Sequence, residues 1–177
     1  LSKAKKIWPL VKNYLDGMAF DCYINPKLFG PGRTPAGPEK GELTRILNDG
    51  KKLLRKYGKD KLSIGEKGVA IITSLPVNSQ HAKDMAKIIA RHLITAKSVG
   101  GVSRYLYFTC YSYKHGDHDY GLWKGYRKQK HHPRPAVAAY ATTSRMLAET
   151  RSSHEVKLHQ DILIYVFEKG DTSVIAM

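Results

Sequence analysis

From residue 2 to about residue 149 the sequence alternates amphipathic helix patterns with short apolar runs, and this order constrains the fold more than any other feature. "SKAKKIWPLVKNYL" has helical spacing interrupted by Pro9, and "GMAFDCYI" follows as a compact strand. A Pro/Gly-rich loop, "NPKLFGPGRTPAGPEKG", leads into "ELTRILNDGKKLLRKYG", where Leu43, Ile46, Leu47, Leu53 and Leu54 share a helical stripe that stops at Gly58. Next come the strand "KLSIGEKG", a turn-rich "TSLPVNSQ" and a helix over "HAKDMAKIIARHLITAKSVGG", with Met85, Ile88, Ile89, His92 and Leu93 at helical spacing. The strand "VSRYLYFTCYSY", the polar loop "KHGDHDYGLWKGYRKQKHH" and the helix "PRPAVAAYATTSRMLAE" complete the pattern. Strict alternation with strands apolar on both faces predicts a parallel sheet covered by helices.

The last 28 or so residues break the rule. "VKLHQDILIYVFEKGDTSVIAM" reads as strand, turn, strand with the turn at Lys169, Gly170 and Asp171, the start of an antiparallel module. In the alternating part the polar residues gather at the carboxyl end of each strand and in the loop after it. These are Asp21 and Tyr23, then Glu66, then Tyr111, Tyr113, His115, Asp117, His118 and Asp119. That edge is the active face of a TIM barrel and the ligand crevice of an open α/β sheet, so function is expected there.

Five segments in order, "YLDGMAFDCY", "LSIGEKG", "HAKDMAKIIARHLITAKSVGGVSRYLYFTCYSY", "DYGLW" and "HPRPAVAAYATTSRMLAET", resemble the C-terminal part of retaining (β/α)8 glycoside hydrolases. The similarity is to the β-xylosidase, iduronidase and cellulase-like families. It implies a partial (β/α)8 TIM barrel, roughly strands six to eight, over residues 1–150, and the first strands of an antiparallel β-sandwich over 151–177. Asp16 to Tyr23 matches the sixth strand, and Glu66 with Gly68 matches the end of the seventh, where the family carries its catalytic nucleophile. The helix from His81, the pair Gly100 and Gly101 and the aromatic strand after them match the seventh helix and eighth strand.

The resemblance implies hydrolysis of O-glycosidic bonds in poly- or oligosaccharides with retention, a carbohydrate substrate and no cofactor. A retaining glycosidase needs a second carboxyl group about 5 to 5.5 Å from the nucleophile. In the family that acid/base follows the fourth strand, so it is expected on a missing N-terminal half, with this fragment inactive alone. The ends "LSKAKKIW" and "VIAM" read as cut, and a secreted or periplasmic location follows only from the family. Asp21, Tyr23, Tyr107 and Tyr111 are the expected substrate-binding residues. Two positions depart from the pattern: Asp21 stands where the family has His, and Gly65 where it has Thr. A carboxylate at 21 faces the same mouth as Glu66, a like charge that weakens it as a nucleophile.

Each of these residues also has an ordinary reading. Glu66 is equally a strand-end carboxylate paired with a surface Lys67, and Tyr23, Tyr107 and Tyr111 are sugar platforms or core aromatics with satisfied hydroxyls. The "KHGDHDY" cluster has metal-binding residue types but no second ligand-bearing segment, so it reads as solvated, and no metal is expected. His92 reads as a core or boundary histidine, and Cys22 and Cys110 as buried free thiols. Thirty Lys plus Arg against fifteen Asp plus Glu give a net charge of +15, densest in "KGYRKQKHHPR" at 124–134. The alternative function is therefore a noncatalytic basic α/β module binding an anionic polymer or glycan. Nucleic acid is the weaker candidate because the run lacks interleaved groove-reading motifs. No membrane is expected, since no apolar run approaches the roughly 20 residues needed to cross one.

Overall fold

The computed structural model describes residues 2–21, 42–125, 130–151, 153–159 and 162–177. Helix α1 (Ser2–Val11) precedes β1 (Gly17–Asp21), α2 (Glu42–Arg55), β2 (Lys61–Lys67), β3 (Ile71–Ile72), α3 (Gln80–Val99) and β4 (Val102–Tyr107). Four two-residue strands follow: β5 (Lys114–His115), β6 (His118–Asp119), β7 (Trp123–Lys124) and β8 (His132–Pro133). Helix α4 (Pro135–Leu147) then leads to β9 (Ser153–His159), β10 (Ile162–Lys169) and β11 (Thr172–Ala176). The architecture is mixed α/β.

Strands β1, β2 and β4 form a parallel sheet in that order. On one face Met18, Phe20, Leu62, Ile64, Val102 and Tyr105 pack against Trp8 of α1 and Leu43, Leu47 and Leu54 of α2. Burial of this kind, at about 25 cal/mol per Å² of apolar surface, is what holds a helix layer to a sheet. Gly50 permits the close approach: a Cβ there would lie 2.6 Å from the Phe20 ring. Helix α2 stops where Gly58 takes φ +67° and the Lys59 amide donates to the Leu54 carbonyl at 3.0 Å. Helix α3 starts at Ser79, whose side chain accepts from the Ala82 amide at 3.3 Å. A second core joins α3 (Met85, Ile88, Ile89), α4 (Ala136, Leu147) and Tyr165 and Phe167 of β10.

The opposite sheet face carries Ala19, Ser63, Gly65, Arg104 and Leu106 by strand register, and Leu106 is 56% exposed. Among the described residues β1 and β4 are the edges of this sheet. A cavity of about 320 Å³ lies along the β4 edge between α3 and α4, lined in part by Lys97, Arg104, Tyr105 and Tyr140.

Three local expectations change. The strand expected over 102–113 leaves the parallel ladder after Tyr107, because the Thr109 and Cys110 carbonyls accept instead from the amides of Leu122 and Trp123, at 3.0 and 2.9 Å. The polar loop after it contains paired segments rather than open chain, with β6 between β3 and β5 and β7 paired with β8. The tail forms three antiparallel strands, β9 pairing with β10 and β10 with β11.

His92 is 1% exposed on α3, and its Nδ1 has no hydrogen-bond partner among the described residues. Burial first, then the charges of Lys67 and Arg91, hold the imidazole neutral, its pKa well below the ordinary 6.5. An unfolded His92 takes up a proton below about pH 6.5 and the folded one does not, so acid favours the unfolded state. Urea denaturation at pH 7.5 and 5.5 is expected to show a loss of about 1 kcal/mol attributable to this group. His92→Leu should flatten the stability profile across that interval.

Candidate functional site

The candidate site is at the carboxyl ends of the three parallel strands, and its central feature is a register skip. Phe20 is opposite Ile64, but Asp21 is opposite Glu66, so Gly65 is one residue too many on β2. Neighbours in a parallel ladder project to the same face. Ala19 and Asp21 lie on Gly65's side of the sheet, for a Cβ built on Gly65 would lie 3.2 Å from Asp21 Oδ1 and 3.3 Å from Ala19 Cβ. Glycine at 65 therefore leaves the room in which the Asp21 carboxylate sits. Asp21 is exposed and Glu66 half-buried, two like charges on adjacent strands running about 4.8 Å apart. Lys67 does not pair with Glu66 at the surface: it is 2% exposed, in the helix layer near His92. Its backbone carbonyl accepts from the Phe108 amide at 2.8 Å.

Tyr23 and Cys22 lie outside the described residues. Tyr107 faces the helix layer. Its hydroxyl accepts from the Val69 amide and shares its one proton between the carbonyls of Val69 and Tyr120, each at 3.3 Å, and its ring lies 5.9 Å from that of Tyr140. Tyr111 is 55% exposed beyond the end of β4, with His131 at 4.7 Å between ring centroids. The strand ends thus bring Asp21 and Glu66 together, set Tyr111 out in the following loop and turn Tyr107 toward the core. Cys110 is free and exposed, not the buried thiol expected, because the chain at that point has left the sheet.

The loop after β4 is organised by a buried polar hub that the sequence did not announce. Asp119, expected in a solvated cluster, is 1% exposed and pairs with Arg134 at 2.7 Å. The same carboxylate accepts from the Ser112 hydroxyl at 2.7 Å and from the amides of Gly121 and Tyr113 at 2.9 and 3.2 Å. Arg134 also donates to the Gly121 carbonyl, and Ser112 accepts from the Gly125 amide at 3.0 Å. Burial pushes the Asp119 carboxyl up, but Arg134, the Gly121 amide and Ser112 outweigh it and hold the group below the usual carboxylate range. The hub fixes the segment carrying Phe108, Tyr113 and Tyr120, whose rings meet at 5.1 Å (Phe108–Tyr113) and 6.0 Å (Phe108–Tyr120). The 15-residue separation of Asp119 and Arg134 follows no secondary-structure period, so nothing in the pattern pairs them. Among the described residues no group of three or more His, Cys, Asp or Glu is placed to hold a metal ion.

No protein-family model matches the sequence, and no curated protein does. Among solved structures the chain is similar to a family 39 glycoside hydrolase from Bacteroides cellulosilyticus WH2, with TM-score 0.63 and 14% identity over 98% of this chain. It spans 35% of the length of that hydrolase. A β-glucuronidase from Ruminococcus gnavus, in complex with an N1-substituted uronic isofagomine, gives TM-score 0.48 at 14% identity, covering 78% of this chain and 24% of its own. The chain has a glycoside hydrolase-like fold.

Removing one partner of the buried pair leaves the other uncompensated. Asp119→Ala is expected to destabilise the chain by about 3 to 5 kcal/mol, whereas the joint replacement Asp119→Leu with Arg134→Met should cost clearly less. Chemical denaturation of the single and double variants measures this. Protonation acts like the single variant: the pair's contribution is complete above about pH 4 and is lost as pH falls through the lowered value of Asp119.

Proposed function

We propose that this chain is the part of a retaining glycoside hydrolase that carries its catalytic nucleophile, Glu66. The observation that carries the reading is the register of β1 and β2. It sets Glu66 at the carboxyl end of the central parallel strand, beside a second carboxylate and, by register, on the face opposite the one that α1 and α2 cover among the described residues. The fold around it is the one shared with the family 39 hydrolase. In this reading residues 1–150 are units six to eight of a (β/α)8 barrel, and the remaining strands pair with the open edges of β1 and β4. Residues 151–177 begin a β-sandwich, and the apolar outward residues Val156, Ile162 and Ile175, at 40, 42 and 67% exposure, are what a second sheet would cover.

The chemistry proceeds in two displacements. A Glu66 carboxylate oxygen attacks the anomeric carbon while an acid on the remaining barrel strands protonates the departing glycosidic oxygen. The resulting glycosyl ester is then cleaved by water, deprotonated by that same group, and the configuration is retained. Asp21 borders the sugar as an acceptor of hydroxyl hydrogen bonds, and Tyr23 and Tyr111 supply flat faces for pyranose C–H surfaces. Tyr107 contributes through the backbone it holds at Val69 and Tyr120.

The net charge of +15, with exposed Lys130 and His132 close in sequence to the Tyr111–His131 ring contact, favours a second reading: a noncatalytic module that binds an anionic polymer or glycan. Such binding weakens steeply with salt through counterion release, and Glu66 has no part in it.

The test uses the longer chain that completes the barrel, treated with a panel of 2-fluoro glycosides and analysed by peptide mass. A covalent sugar is expected on Glu66, and Glu66→Gln should lower kcat by on the order of a thousandfold or more. A folded protein that takes no label and binds polyanions equally well with Glu66→Gln would establish the second reading instead.

A further inference from the structure

In β2, Leu62 and Ile64 point into the helix layer and are fully buried. Strict alternation would carry Glu66 into that same layer and leave Lys67 on the open face. The structure has the reverse arrangement. At the same level the pairing skips on both sides of the strand, between Phe20 and Asp21 of β1 and, along β2 itself, between Ile64 and Lys67 where it meets β4; a second skip against β4, between Leu62 and Ser63, puts its extra residue on β4 instead. Lys67 is 2% exposed, and its charge acts on His92 of α3. Bulges of this type re-aim a side chain, and they need something to hold the extra residue in place. Lys67 is placed to supply it in two ways: its side chain is buried, with its charge reaching His92 of the helix layer, and its carbonyl receives the Phe108 amide at the end of β4. No aliphatic or aromatic residue stands at this buried position; a lysine does, directly after the carboxylate it would direct.

We propose that Lys67 is the positioning residue for Glu66: anchored behind the sheet, it holds the Gly65 bulge and so keeps the Glu66 carboxylate on the open face beside Asp21. Lys67 touches no substrate in this arrangement. The inference rests on Glu66 being the nucleophile only for its kinetic consequence; the orientation itself is independent of that role.

Two readouts test it. The first is carbodiimide-driven coupling of glycine ethyl ester to carboxylates of the 177-residue chain, read by peptide mass, with exposed Asp117 as the internal reference. Lys67→Thr, a strand former too short to fill the layer, should slow coupling at Glu66 by about tenfold and leave Asp117 unchanged. Lys67→Met, which keeps the stem and drops the charge, should stay within about threefold of the parent. Lys67→Val replaces the threonine variant if that one does not fold. The second readout is inactivation by the best 2-fluoro glycoside in the completed barrel. There Lys67→Thr should lower the bond-forming rate constant by about ten- to a hundredfold with the binding constant little changed, and Lys67→Met should restore it. Coupling and inactivation that ignore Lys67→Thr, or that fall equally with Lys67→Met, overturn the proposal. A footprint that responds to Lys67→Thr in a protein no glycoside labels keeps the positioning role and removes the nucleophile.

Discussion

The register between β1 and β2 counts one residue too many, and much of the site's geometry follows from where that residue goes. Because Gly65 is looped into the strand, Ile64 and Lys67 both enter the helix layer while Gly65 and Glu66 stay on the other side. Asp21 then reaches over a residue with no side chain to stand by Glu66. A larger residue at 65 would press on the Asp21 carboxylate, so the two departures from the family pattern, Asp21 and Gly65, are sterically one feature. The helices impose the remaining geometry: Trp8, Leu47 and Leu54 cover one face of the sheet, and Asp21 and Glu66 are paired at the ends of its strands.

A second constraint operates at the end of β4. Asp119 and Arg134 are buried together, and the carboxylate also accepts from Ser112, Tyr113 and Gly121 of the loop it organises. A buried charge pair contributes little net stability relative to apolar residues of the same volume, but loss of one partner is severe. The arrangement thus ties the loop's conformation to the start of α4. Apolar packing could not specify the course of so polar a segment.

The alternation of periods makes the parallel sheet legible, since short apolar strands separated by amphipathic helices have few other solutions. Glu66 and Asp21 were legible as strand-end carboxylates, though their adjacency was not: it depends on a bulge, and period-two reasoning places Glu66 on the wrong face and Lys67 on the surface. Asp119 reads as solvated from sequence because its partners lie up to 15 residues away in a segment without regular period. The strand expected over 102–113 is longer than the one formed, for a related reason. Its aromatic residues continue past Tyr107, but their backbone partners change from β2 to residues 122 and 123. What the sequence concealed was long-range hydrogen bonding, and what it displayed was local apolar patterning.

The proposed chemistry requires Glu66 to act as a nucleophile rather than as a base toward water. The most direct measurement is proton NMR of the first sugar released by the completed barrel, recorded before mutarotation. Two displacements through a glycosyl ester predict that the initial product keeps the anomeric configuration of the substrate. An initial product of inverted configuration would contradict the account, because it would mean a single displacement by water with no bond ever formed to Glu66.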